Sequence, residues 1–116
     1  MKTSELTGAA LDWAVWTAAG GAAAYPKTAS GKAFLKLWKG NSAKYIHPST
    51  DWSQGGSIIE RECIDLRFGG DDLWEALMDA QTLCVPGPTP LVAAMRCYVA
   101  SKLGNEVEIP EELKGE

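Results

Sequence analysis

The sequence predicts an α+β fold: a small single domain, residues 1–116, with N- and C-terminal helices packed on a β-hairpin or small antiparallel sheet. Three observations carry that expectation. Residues 7–19 and 89–103 have helix-forming composition with start and stop signals at their ends. Between them Ile64, Leu66 and Phe68 alternate with Asp65 and Arg67, the period-two pattern of a half-buried strand. A chain of 116 residues, 46% hydrophobic with five tryptophans, can fill one core and leaves little room for a second.

Each element rests on local chemistry. Thr7 stands as the cap of a helix running to about Ala19, with Leu6 and Leu11 spaced as a hydrophobic staple. Ala9, Ala10, Ala14, Ala18 and Ala19 favour helix, and Gly20-Gly21 ends it. Residues 20–31 read as a connection. Ser30 then caps a short helix near Lys32 to Lys39, in which Lys32, Lys36 and Lys39 share one solvated face. Pro48 disfavours helix at His47, and Ser49 is a natural cap for a helix from Thr50 to about Glu62. A strand from Ser57 is the alternative. Trp52, Gly56, Ile59 and Cys63 recur there at helical spacing. Gly55 and Gly56 weaken such a helix by roughly 1 kcal/mol each against alanine, which predicts a closely approaching neighbour.

Gly69-Gly70-Asp71-Asp72 has turn chemistry, so Leu73 to Met78 is the returning strand of a hairpin, with a helix from Asp71 as its rival. Pro86, Gly87, Pro88 and Pro90 make a rigid loop, after which Thr89 caps the last helix and Pro90 opens it. Val92, Met95, Val99 and Leu103 form one apolar stripe, Arg96 and Lys102 fall towards the other side, and Gly104 closes the helix. Residues 105–116 form an acidic tail expected to fray.

Charge is unevenly spread within a net of −4. Trp13 to Thr50 holds five lysines and no acid, whereas Asp51 to Ala80 holds eight acids against Arg61 and Arg67. The two segments can neutralise each other across the fold, or the lysines can form an anion-binding surface. No stretch is long and apolar enough for a membrane helix, and residues 1–12, with Glu5 and Asp12 against Lys2, do not resemble a secretory signal. Three cysteines without a close pair point to free thiols in a reducing cytoplasm.

The run Pro48-Ser49-Thr50-Asp51-Trp52-Ser53-Gln54-Gly55-Gly56 with Ile58-Ile59-Glu60 resembles the phage NinX family. So do Gly87-Pro88-Thr89-Pro90-Leu91, Ala93-Ala94-Met95-Arg96 and the opening Leu6-Thr7-Gly8-Ala9-Ala10-Leu11-Asp12-Trp13-Ala14-Val15. These are small proteins of phages and prophages, grouped as a domain of unknown function. The resemblance covers most of the chain except residues 18–44, which have the character of a variable lysine-rich insert. Where many family members have proline before the paired isoleucines, this chain has Ser57. The resemblance implies a phage-derived cytoplasmic accessory protein and transfers no catalytic residue.

Ser30-Gly31-Lys32-Ala33 resembles the end of a phosphate-binding loop, but Pro26 replaces its first glycine and Ala33 its hydroxyl residue. A zinc site would have to recruit Cys63, Cys84, Cys97 and His47, whose spacing lacks the close ligand pairs of structural sites; no metal or cofactor is expected. Hydrolysis would pair His47 with Ser49, Ser53 or Cys63 and use Asp51 to orient the imidazole, a weak signal beside that of a loop histidine before proline. No catalytic residue is assigned. The favoured binding patch is Ser49, Asp51, Trp52, Gln54, Gly55 and Gly56 with Arg96, a tryptophan beside polar groups and exposed amides.

A non-enzymatic module that binds a host or phage protein, and pairs with itself as a possible homodimer, is the leading expectation. Single-stranded nucleic-acid binding through Lys27–Lys44, chiefly Lys32, Lys36, Lys39 and Lys44, is the second, disfavoured by the acidic total charge. A small-ligand or hydrolytic site around His47–Gln54 is the third.

Overall fold

The computed structural model describes residues 1–19, 47–109 and 113. In chain order these form a 3₁₀ turn (η1, Thr3–Glu5), helix α1 (Gly8–Ala18), helix α2 (Trp52–Glu62), strands β1 (Asp65–Gly70), β2 (Leu73–Met78) and β3 (Leu83–Gly87), and helix α3 (Pro90–Leu103). The expected α+β architecture is present, with helices flanking a three-stranded antiparallel sheet of order β1-β2-β3. The expected short helix at Lys32–Lys39 and the Gly20-Gly21 stop lie outside the described residues.

The hairpin wins over the helix from Asp71. Its tip holds Asp71 and Asp72 at φ of 51° and 57°, the left-handed pair of a two-residue turn that matches the strand twist. Phe68 pairs with Trp74 across the ladder, and the register shifts between Phe68 and Gly70, a bulge next to the tip. β3 was not expected as a strand: Pro86 and Gly87, assigned to a rigid loop, pair with Glu75 and Trp74. β3 is an outer strand, where proline is tolerated because only one side of the ladder needs its bonds.

α3 is the hub. It packs on the sheet, α1, α2 and η1, and buries Leu91 and every residue from Ala93 to Val99. Leu6, Leu11, Met95 and Val99 are wholly buried, each contributing about 1.5–3 kcal/mol relative to an exposed position. Contact with β3 is backbone to backbone: a Cβ on Gly87 would stand 2.5 Å from the Ala93 nitrogen and 2.8 Å from its Cα. Thr89 caps α3 as expected, its Oγ1 accepting from the Val92 N–H at 3.1 Å, and Pro90 follows at the first helical position.

Three local expectations are corrected. Thr7 precedes α1 but its hydroxyl makes no capping bond; the chain enters with Gly8 at φ 57°, a left-handed conformation open to glycine. The buried side of α2 is Gly55 and Ile58, while Trp52 and Cys63 of the anticipated stripe are exposed. The segment after Gly104 does not fray at its start. Met1 and Val107 exchange two hydrogen bonds of 3.0 Å, Thr3 N–H donates to the Asn105 carbonyl, and Val107 and Ile109 are buried.

Candidate functional site

The candidate patch is built where α2 and α3 begin side by side. Residues 47–51 turn sharply, with the amides of Thr50 and Asp51 donating to the His47 carbonyl at 3.0 and 2.8 Å. Asp51, not Ser49, is the cap of α2: its Oδ1 accepts from the Ser53 N–H at 2.9 Å and the Ser53 hydroxyl at 2.6 Å. Those two donors, with a weaker one from Gln54, hold the Asp51 carboxyl below its ordinary range. Gln54 reaches back, its Oε1 accepting from the His47 N–H at 2.7 Å.

Ser49 is displaced from the cap because it is used elsewhere. Its N–H donates at 2.9 Å to Oδ1 of Asp12, and both residues are almost completely buried. Asp12 thus fastens the turn before α2 to α1 from inside the protein. Sequence reasoning missed it, although a single carboxylate within the apolar run Ala9–Trp16 was an available signal, since buried charges need partners. Gly55 locks the other side: a Cβ there would collide with the Pro48 carbonyl oxygen and stand 2.6 Å from Leu91 Cδ2. The neighbour that the two glycines predicted is therefore real, and Gly55 alone meets it. At Gly56 the nearest atom would be Trp52 Cε3 at 3.7 Å, an ordinary contact.

Between the two helix starts lies an open, mainly apolar groove of about 260 Å³, lined by Ser49, Thr50, Trp52, Thr89, Leu91 and Val92 with Pro90. Trp52 is 55% exposed, against the tendency of tryptophan to bury most of its area. The Ser49 hydroxyl, buried at this groove, has no hydrogen-bond partner among the described residues.

Of the predicted patch, Ser49 and Trp52 line the groove, Asp51, Gln54 and Gly55 brace it, and Gly56 lies beside the indole. Arg96 does not belong to it, nor to a solvated helix face. It is 8% exposed, donating from Nε to the Leu6 carbonyl at 2.8 Å and from Nη1 to the Pro86 carbonyl at 3.0 Å. Burial lowers its pKa and the charge of Glu5 opposes the shift; arginine nevertheless stays protonated. The alternative lysines, Lys32, Lys36, Lys39 and Lys44, lie outside the described residues.

Of the side chains a hydrolytic arrangement would use, the Ser49 hydroxyl has no hydrogen-bond partner among the described residues, Ser53 Oγ donates to Asp51, and the Cys63 thiol faces the Glu60 carbonyl at 3.9 Å. The three thiols are free, with Cys63 and Cys84 exposed and Cys97 buried, its pKa pushed up to about 12 by desolvation. Among the described residues no three His, Cys, Asp or Glu side chains are grouped to hold a metal. A second hollow, about 230 Å³, lies between residues 2–4, β3 and residues 105–106. Thr3 on its wall already donates to the Gly104 carbonyl at 2.7 Å.

Fold and chain together define a small α+β protein in which helices flank a three-stranded antiparallel sheet, with no helix among the described residues long and apolar enough to cross a membrane. The family model described as Bacteriophage P22, NinX matches residues 2–102, and the chain belongs to this phage NinX family, as the resemblance implied. No curated protein matches the chain.

Proposed function

We propose that this phage protein is a non-enzymatic binding module that acts in the host cytoplasm by taking an apolar or aromatic side chain of a host or phage protein into the Trp52 groove. One observation carries the reading: Trp52 is more than half exposed on a mainly apolar groove. The Asp12–Ser49 bond and the close approach of Gly55 to Pro48 and Leu91 tie the groove's walls to the body of the protein, which lowers the ordering entropy that binding must overcome. An aromatic anchor over an apolar pocket has the composition of an interface hot spot. Free thiols agree with a reducing compartment.

The test is paired capture from infected host extract with the wild-type chain and with Trp52→Ser. A partner held by the wild type at moderate salt and lost with the variant supports the proposal. Equal capture by both chains, or none by either, defeats it.

A further inference from the structure

We infer that β1 is a self-association edge through which two copies of this chain pair antiparallel about Leu66, joining their sheets. The surface is separate from the Trp52 groove. β1 is an outer strand, and among the described residues no strand pairs with its far side. Such edges are ordinarily blunted by proline, lysine or a covering element. This one has neither residue, its bulge lies at the hairpin-tip end beyond Phe68, and Phe68 is 56% exposed.

The occupant follows from the sequence of the strand. Antiparallel pairing centred on Leu66 sets residue 64 opposite 68 and residue 65 opposite 67, twice by symmetry. On the face that α3 covers, Leu66 then meets Leu66, and each Phe68 comes beside Ile64, the buried residue that leads into β1. On the opposite face each Asp65 meets an Arg67. Opposite charges placed directly across a ladder stabilise it and like charges destabilise it. The strand is therefore complementary to itself in this register.

The existing contacts fit that arrangement. Arg67 is exposed and binds Glu75 of β2, with Nη2 at 2.9 Å and Nε at 3.1 Å from Oε1, so its charge is already oriented. Among the described residues, Asp65 has no ion-pair or hydrogen-bond partner for its carboxylate. Pairing gives it one and sets Arg67 between Glu75 of its own chain and the second copy's acid. A one-residue slip would set Asp65 against Leu66 or Phe68 and turn the charged face over the apolar one.

The test uses light scattering and sedimentation at sub-millimolar protein with the full chain and two charge reversals. The wild type is expected at twice the chain mass. Asp65→Arg places arginine opposite arginine, Arg67→Asp places aspartate opposite aspartate, and each alone is expected to be monomeric. Mixed together, the two variants become complementary again and should form a heterodimer. A monomeric wild type overturns the inference, as does a dimer that survives either reversal. Failure of the two folded variants to associate on mixing also overturns it.

Discussion

α2 and α3 begin in the same way and end in different roles. Both start at a side-chain cap, Asp51 for α2 and Thr89 for α3, and the two starts lie side by side. Yet α2 buries only Gly55 and Ile58, whereas α3 buries eight residues and touches every other described element. An amphipathic stripe marks a helix with one neighbour. A helix surrounded by neighbours loses the stripe, because every face is an inner face. That is why Arg96 was misplaced: on a surface helix an arginine points to water, but on α3 it points into the protein and meets main-chain oxygens.

The sharpest way to break the hub is at its closest contact. Gly87→Ala should destabilise the protein by about 3 kcal/mol, the upper end for overpacking, because backbone rather than a flexible side chain must yield. Urea unfolding of the variant measures it.

The second effect separates the thiol of the hub from the one that closes α2. Cys97 has a folded pKa of about 12, above the ordinary 9.0, so burying its neutral form contributes fully below the unfolded pKa. That contribution is lost as pH rises from about 9 towards 12. Stability relative to Cys97→Ala should fall by about 1.4 kcal/mol per pH unit in that window. At neutral pH a thiol reagent should label exposed Cys63 at once and Cys97 only after unfolding.

Two adjacent glycines sharpen the comparison within α2 itself. Gly55→Ala should cost about 1–3 kcal/mol, since its Cβ meets Pro48 and Leu91. Gly56→Ala should stabilise by about 0.5–1 kcal/mol, the ordinary gain of alanine in a helix with free space beside it. Similar shifts at both positions would show that α2 does not rest on the turn before it. The smallest effect is expected at the groove: Trp52→Ser should change stability by no more than about 0.5 kcal/mol while removing partner capture.

What was legible in the sequence was what local chemistry decides. The hairpin turn, both flanking helices, the Thr89 cap and the strain at the paired glycines follow from residues a few positions apart. β3 was hidden because Pro86 and Gly87 punctuate a sequence like a loop, and only pairing with β2 makes them a strand. The patch was half legible. Trp52 and Asp51 announce themselves, but the bond from Ser49 to Asp12 spans 37 positions and leaves no periodic trace. Ser49 and Asp51 both suit a helix cap, and a tertiary contact decided between them.

The Arg96 clasp also bears on how such a chain drifts over generations. Its two acceptors are main-chain oxygens, which every amino acid carries, so replacing Leu6 or Pro86 leaves the clasp chemically intact. The forked guanidinium that joins two separated carbonyls has no substitute of equal shape, lysine included. Selection on this fastening therefore falls on one codon of three, and positions 6 and 86 remain free, as far as the clasp is concerned, to follow the packing around them.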